Sequence, residues 1–216
     1  MRFTLFILKL FIVVICAVSG AIAGNHWIAK LYRTKENILS FPHKIFAQHE
    51  SRKRYLPGVL GMLMAFYLLN ISSTVLSHFF GLFFIYFLIL FNFTDFEQEV
   101  IFDVMLLPFA LLGLFSSILN GYPVLDHLAA GLGGGILFLV LAILTRGGIG
   151  GGDIKLIAAL GLWLGSSQLL DVIVLGLIAG GIGAFLLMKF AHKKKTDTFA
   201  YGPFFTVAAL LQLFVA

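Results

Sequence analysis

Residues 169–188 read LLDVIVLGLIAGGIGAFLLM, twenty positions with a single charged side chain. A helix of about 20 apolar residues is long enough to cross the hydrocarbon core of a bilayer. The rest of the chain has the same character, since 60% of its 216 residues are hydrophobic and 12% are charged. The sequence therefore predicts an all-α fold, a polytopic transmembrane helical bundle. The apolar runs are continuous rather than alternating, which favours helices over a β-barrel.

Eight apolar segments are predicted to be membrane helices. The second opens at Pro57, since proline is favoured in the first turn of a helix, and the sixth is unusually short. The segments are 3–23, 57–77, 79–93, 104–119, 127–145, 154–165, 169–188 and 199–216. The domain division predicted from them is a first transmembrane helix at 1–24, a basic loop at 25–56 and a transmembrane domain at 57–216.

Lysines and arginines are concentrated on one side of this arrangement. Seven lie in residues 25–56, one in 146–153 and four in 189–198, whereas the opposite loops contain none. Because basic residues are enriched in cytoplasmic loops, we expect this face in the cytoplasm and the amino terminus outside. The net charge of +5 is then a topology signal. Nucleic-acid binding needs a basic folded surface and is not expected.

Two interpretations of the amino-terminal segment are open. Arg2, Lys9, the apolar run and Ala21-Ile22-Ala23 together resemble a signal peptide with its cleavage site. The positive charge after the run far exceeds the charge before it, which favours a retained helix. The single cysteine, Cys16, excludes an intramolecular disulfide and a thiolate zinc cluster within one chain.

Two aspartates are the candidates for chemistry, because ionisable groups at the edge of a membrane are expensive and usually functional. Asp95 opens an acidic segment at 95–103, and Asp153 lies 58 residues later. This spacing accommodates one helix out and one back, so both are predicted at the cytoplasmic face. Two carboxyls that share a site cannot both ionise cheaply, so one holds a proton near neutral pH while the other activates water. Such a pair hydrolyses a peptide bond without a metal.

Three glycines, at 150–152, directly precede Asp153. Glycine lets another backbone approach closely, so an extended substrate strand would pair main chain to main chain here. We therefore expect Gly150 and Gly152 to shape a substrate channel. A flexible turn is the alternative interpretation of the glycines, and capping of the following helix is the alternative role of Asp153.

The stretch GGGDIKL at 150–156, continued by AALGLWLG at 158–165, resembles the signature of type IV prepilin leader peptidases, the bacterial membrane aspartyl proteases of the GxGD class. Asp95 followed by Asp103 resembles the family's first aspartate motif, in which the leading aspartate is catalytic. The element YGPF at 201–204 resembles the family's closing Phe-Gly-Pro-Phe, and 126–135 resembles its fifth helix. The resemblance covers most of the chain from Asp95 onward.

This resemblance implies that residues 57–216 form an aspartyl protease domain in the bacterial inner membrane, with catalytic Asp95 and Asp153 facing the cytoplasm and no metal. The substrates would be type IV prepilins and pseudopilins, which such enzymes cleave after a glycine that ends a short basic leader. Proteolysis needs no cofactor. Many members also N-methylate the new terminal residue, and S-adenosylmethionine would be the donor if that activity is retained.

Two features depart from the family pattern. The first loop commonly carries paired CxxC motifs for zinc, whereas residues 25–56 contain no cysteine. This excludes that zinc site, predicts a reduced N-terminal domain and leaves methyl transfer open. Phe102 stands where a proline usually precedes the second aspartate, which is expected to alter only local backbone geometry.

The remaining site candidates are assigned supporting roles. Glu97 and Glu99 are interpreted as a solvated face that attracts the basic leader. Asp103 is interpreted as a helix-start acid or a supporting group. Lys155 would favour the ionised form of Asp153, or its side chain would extend to the membrane interface. Gly202 and Pro203 are expected to support backbone geometry near the site, and the six histidines have no metal-ligand spacing.

Two other functions are compatible with part of this pattern. An intramembrane protease of the presenilin type shares the glycine-aspartate signature, but its Pro-Ala-Leu element is missing here. A non-enzymatic membrane subunit or small ion-coupled transporter would use the aspartates as ion ligands. It predicts charges at the bilayer midplane on broken helices, whereas Asp95 and Asp153 fall near the ends of predicted spans.

Overall fold

The described residues of this computed structural model, 2–146, 148–190 and 201–215, are mostly helical and contain no strand. They form seven α-helices: α1 (Arg2–Thr34), α2 (Ile45–Asn70), α3 (Val75–Gln98), α4 (Asp103–Leu119), α5 (Val124–Leu144), α6 (Gly151–Phe190) and α7 (Gly202–Val215). Two short 3₁₀ turns, Glu36–Ile38 and Pro42–Lys44, lie between α1 and α2. The predicted all-α fold is confirmed. The chain divides into two compact units, Met1–Val100 and Ile101–Ala216.

Several helices have the length and composition of membrane spans. In the described part of the chain these are Phe6–Thr34, Val75–Gln98, Val124–Leu144 and Gly151–Gly183, and two shorter apolar helices are Asp103–Leu119 and Gly202–Val215. A helix satisfies its backbone hydrogen bonds internally, which is the condition for crossing lipid. The chain is therefore a multi-pass membrane protein.

The helices of the first unit are longer than the sequence predicted. α1 continues past residue 24 to Thr34, and α2 begins at Ile45, so only residues 35–44 of the predicted loop lie outside α-helix. Pro57 lies inside α2 rather than at its start. The prediction was wrong because charge keeps a segment out of lipid but does not prevent it from being helical, and lysine, arginine and glutamate are good helix formers.

The turn between α2 and α3 also differs from the prediction, which placed it near residue 78. It lies at 71–74, because Thr74 precedes α3 and its hydroxyl accepts a hydrogen bond from the Ser77 amide at 3.1 Å. Threonine is a favoured residue at this capping position. Within the same unit, Gly20 and Gly24 of α1 face Tyr86 and Leu90 of α3, so small residues allow these helices to approach closely.

In the second unit, α6 is interrupted at Gly165, where φ is 72° and ψ is −178°. This conformation is essentially restricted to glycine. Gly131 of α5 contacts Leu162 and Gly135 contacts Ala158, so the first half of α6 runs antiparallel to α5. Asp126 contacts Ser166 and Gly134 contacts Leu169, so the second half runs parallel to it. The two halves correspond to the predicted segments 154–165 and 169–188.

Helices α5 and α6 approach each other so closely that their backbones are in contact. A β-carbon placed on Gly161 would lie 2.5 Å from the amide nitrogen of Gly131. The second half of α6 packs on α7, where Gly180 faces Tyr201 and Gly176 faces Phe205, so these two segments are antiparallel. Residues 191–198, most of the predicted basic segment at 189–198, lie outside the described residues.

Candidate functional site

Asp95 lies in the last turn of α3, within a helix rather than in the loop that the sequence predicted. Its side chain is buried, with 6% of the residue exposed, and its carbonyl accepts a hydrogen bond from the Glu99 amide at 2.8 Å. Glu99 follows the helix with a left-handed φ of 54°, and this change of direction ends α3. The carboxyl group is therefore held at the end of an apolar helix and is largely shielded from solvent.

Glu97, two positions after Asp95, forms an ion pair with Arg52 of α2. The Glu97 side chain is 10% exposed and that of Arg52 is fully buried. The Tyr32 hydroxyl donates to the same carboxylate at 2.8 Å, and Arg52 Nε donates to the Asn25 amide oxygen at 3.0 Å. The expectation that Glu97 belongs to a solvated face is wrong, because the first unit already supplies a cation for this carboxylate.

Gln98, the last residue of α3, is fully buried and is bonded to the connection between α1 and α2. Its side-chain oxygen accepts from the Phe41 amide at 2.8 Å, and its side-chain nitrogen donates to the Phe41 carbonyl at 2.9 Å. The same nitrogen donates to Gln48 Oε1, while Gln48 Nε2 donates to the Glu97 carbonyl at 2.6 Å. Residues 35–44 and the start of α2 are thus tied directly to the turn that carries Asp95.

Sequence reasoning missed the residues that surround this turn, which are Asn25, Tyr32, Gln48, Arg52 and Gln98. Arg52 was one of seven basic residues that indicated topology, and its sequence neighbours Lys53 and Arg54 are exposed. Nothing in the local pattern distinguishes the buried arginine from the exposed ones. If this segment had been predicted as a helix, the position of Arg52 one turn before the buried Leu56 would have placed it on the buried face.

Asp153 lies in the first turn of α6 in the second unit. Only 8% of the residue is exposed, and its amide donates to the Gly150 carbonyl at 3.1 Å. Residues 146–153 lie between the predicted helices 127–145 and 154–165, but the last three of them are helical, because α6 begins at Gly151. The Asp153 carboxyl group is therefore fixed at a helix start, close to the surface but largely buried.

The glycines before Asp153 provide space rather than unusual backbone. Among the described glycines only Gly121 and Gly165 have a left-handed φ, so none at 150–152 requires glycine for its conformation. A β-carbon placed on Gly151 would meet nothing within 4 Å, and one on Gly152 would make an ordinary contact with Ile101 at 3.4 Å. The helix surface beside Asp153 is therefore open at Gly151.

Asp103 begins α4 and forms an ion pair with Lys155 of α6, with Nζ 2.8 Å from both carboxylate oxygens. Both side chains are more than half exposed. The pair shows that α4 and α6 begin at the same end of the second unit. It also gives Lys155 a partner other than Asp153. From the sequence, we expected Lys155 to favour the ionised form of Asp153.

Gly202 and Pro203 are buried in the first turn of α7, where the Thr206 hydroxyl donates to the Pro203 carbonyl at 2.9 Å. Of the predicted site residues, the first unit carries Asp95, Glu97 and Glu99, and the second carries all the others. Within the described ranges, no three histidine, cysteine, aspartate or glutamate side chains are grouped as metal ligands.

The helices and their buried aspartates define a class, the polytopic helical membrane proteins that keep carboxyl groups at helix ends. Comparison with protein families gives a more specific similarity. Residues 82–185 match the type IV leader peptidase family, and this range includes both Asp95 and Asp153. This range is just under half of the chain, and the match supports the resemblance found in the sequence.

Three curated relatives carry the name prepilin leader peptidase/N-methyltransferase. The protein from Neisseria gonorrhoeae is 37% identical over 59% of this chain and 46% of its own length. The protein from Aeromonas salmonicida is 31% identical over 58% and 45%, and that from Escherichia coli K12 is 31% identical over 55% of each. This chain therefore spans about half the length of the relatives that it matches. No solved structure matches it.

Proposed function

We propose that the chain is a membrane aspartic endopeptidase that removes the leader peptide of type IV prepilins or pseudopilins, with Asp95 and Asp153 as its catalytic pair. The observation that carries the proposal is the placement of these two carboxyls. Each is buried at the end of a membrane helix, and both lie in the region shared with the leader peptidase family. The names of the relatives support the choice of substrate.

In the proposed reaction, one carboxylate takes a proton from a water molecule, whose oxygen attacks the carbonyl carbon of the scissile bond. The other carboxyl, in its protonated form, donates a hydrogen bond to the carbonyl oxygen and stabilises the charge that develops there. A proton then passes to the leaving amine as the bond breaks. Burial of both groups supports this chemistry, because exclusion of bulk water strengthens such interactions.

The open surface at Gly151 supports a path for an extended leader beside Asp153, with Gly150 and Gly152 shaping the channel. Glu99 remains the proposed group for attracting a basic leader, since Glu97 is engaged by Arg52. The exposed basic residues at the end of α1 and the start of α2 support a cytoplasmic site, because such residues are enriched on that side.

Methyl transfer is the second proposed activity, because the names of the relatives include N-methyltransferase. S-adenosylmethionine would supply the methyl group and the new amino terminus would accept it. No residue of this chain is assigned to that step.

The test is co-expression with candidate prepilins, followed by mass measurement of the processed amino terminus. We expect Asp95→Asn and Asp153→Asn to lower the cleavage rate by about 10²–10⁴-fold, as loss of a general acid or base does. A mass increase of one methyl group on the product would establish the second activity.

The matched control for these variants is Asp171→Asn, which changes an exposed aspartate on α6. It should insert and cleave like the unchanged protein. Full cleavage by both Asp95→Asn and Asp153→Asn would refute the mechanism. If the unchanged protein cleaves no prepilin but transports protons or ions through the aspartates, the transporter alternative replaces the proposal.

A further inference from the structure

The last turn of α3 is held by side chains from every helix of the first unit. Glu97 and Gln98 on that turn bond to one residue of α1 and two of α2, and a second residue of α1, Asn25, accepts a hydrogen bond from Arg52. We name the group the polar clasp: Asn25, Tyr32, Gln48, Arg52, Glu97 and Gln98. Its members bond to one another or to the connection at Phe41. General packing does not explain why so many polar side chains are grouped around a single helical turn.

The clasp satisfies backbone groups that a helix end normally leaves open. The last four carbonyls of an α-helix have no partner within the helix, and such ends fray. Here Gln48 Nε2 donates to the Glu97 carbonyl at 2.6 Å, and the Ser40 amide donates to the Gln98 carbonyl at 3.4 Å. The final turn of α3 is therefore fixed by groups from outside α3.

The Arg52–Glu97 ion pair in the clasp is not well explained by its contribution to the stability of the fold alone. Burying two charges removes them from water, and a buried pair often contributes no more than well-packed apolar residues would. Arg52 is fully buried, and its guanidinium also lies over the Tyr32 ring, 5.3 Å from the ring centre. Such a pair nevertheless has a defined geometry, because a carboxylate that accepts from both Arg52 and Tyr32 is restricted in position.

The restricted carboxylate, that of Glu97, lies in the same helical turn as Asp95. Glu97 follows Asp95 by two residues in the same helical turn, so fixing the Glu97 backbone and side chain also fixes the rotation of the turn. Neighbouring Phe96 points outward, with 76% of the residue exposed, and Asp95 points inward. A small rotation of this turn would change the direction of the Asp95 carboxyl.

We propose that Arg52 and Glu97 are positioning residues, which orient Asp95 for catalysis through the last turn of α3. This inference rests on the proposed function, in which Asp95 is a catalytic carboxyl. It assigns Glu97 a role that differs from attraction of the leader, and the two roles have opposite kinetic consequences. A positioning residue affects kcat, whereas a residue that binds the leader affects KM.

The kinetic test uses two single variants and one double variant. Arg52→Met and Glu97→Gln should each lower kcat for a prepilin by about 10- to 100-fold with KM unchanged, since small displacements of catalytic groups have effects of this size. Arg52→Gln with Glu97→Gln leaves no buried charge without its partner and retains hydrogen bonding. It should recover most of the lost kcat.

The controls are exposed neighbours in the same region, Lys53→Met beside Arg52 and Glu36→Gln in the 3₁₀ turn after α1. Both should leave kcat and KM unchanged. If Glu97→Gln raises KM with kcat intact and Arg52→Met lowers KM by releasing the carboxylate, Glu97 binds the leader and the proposal is overturned. Unchanged kcat in both single variants would also overturn it.

A second measurement is independent of activity. A spin label on Phe96→Cys, in a Cys16→Ser background, reports the mobility of the turn by electron paramagnetic resonance. We expect greater mobility with Arg52→Met and restored order with the double glutamine variant. A spectrum that does not change with Arg52→Met overturns the positioning role. An ordered turn in a protein that cleaves no prepilin would instead overturn only the proposed function.

Discussion

At the scale of single residues, the structure separates charges that hold backbone in place from charges that lie at the surface. Arg52 and Glu97 are buried together, whereas Asp103 and Lys155 meet at an exposed position. Exposed pairs contribute little because water and salt screen them. The two pairs therefore differ in what their loss would do.

We expect Asp103→Asn and Lys155→Met each to change the free energy of unfolding by less than about 1 kcal/mol, as for other exposed ion pairs. Thermal unfolding of the purified protein in detergent measures this. If Lys155 acts only through Asp103, the two variants should have the same pH profile of cleavage. A profile altered by Lys155→Met alone would show that the lysine acts on Asp153 directly.

At the scale of helices, the reversal at Gly165 is the most specific feature. Asp126, in the first turn of α5, accepts hydrogen bonds from the Ser166 amide at 3.0 Å and from its hydroxyl at 2.5 Å. His127 Nδ1 lies 3.0 Å from the Leu162 carbonyl, just before the break. The start of α5 thus satisfies polar groups on both sides of the interruption, which α6 cannot satisfy itself.

Gly165→Ala should lower the free energy of unfolding by about 1–3 kcal/mol, because its φ and ψ are restricted to glycine. A β-carbon there would also lie 2.5 Å from Asp126 Oδ2. Gly181→Ala in the same helix is the control, since a β-carbon there meets nothing within 4 Å. Equal thermal midpoints for the two variants, measured by circular dichroism, would contradict this account of the break.

The sequence was sufficient for some of these elements and not for others. Apolar run length located α4 to α7 well, because the hydrocarbon core imposes that length. Helix α3 extends beyond the predicted segment 79–93 at both ends. Run length failed for α1 and α2, whose ends extend beyond the apolar run as charged helix. The glycine-aspartate motif located Asp153 at a helix start. The partners of Glu97, in contrast, lie 45 and 65 positions away in the sequence, and no local pattern encodes such pairs.

At the scale of the whole molecule, the orientation in the membrane stays a prediction that rests on the positions of the basic residues. In the first unit, the exposed Lys30, Arg33, Lys53 and Arg54 lie where α1 ends and α2 begins. Lys9, the basic residue inside the first apolar run, donates instead to the Leu68 carbonyl near the end of α2. Its charge is placed at a helix carboxyl end, where a cation is favourable.

A labelling experiment would test the orientation. In a Cys16→Ser background, Lys53→Cys should react with a membrane-impermeant maleimide only after the cells are opened, and Tyr122→Cys should react in intact cells. Tyr122 is 48% exposed in the turn between α4 and α5. The reverse pattern would place the basic face outside and remove the support for a cytoplasmic site. Reaction of both in opened cells is the control for accessibility.

The reversal at Gly165 also determines where this protein would tolerate added sequence. Insertions are accepted where backbone is exposed and makes few bonds. At Gly165 the helix resumes at once, and Ser166 is already held by Asp126, so an epitope or a protease site placed there would separate two packed helices. The turn at 120–123 has open space at Gly121 and is the better position for such a tag.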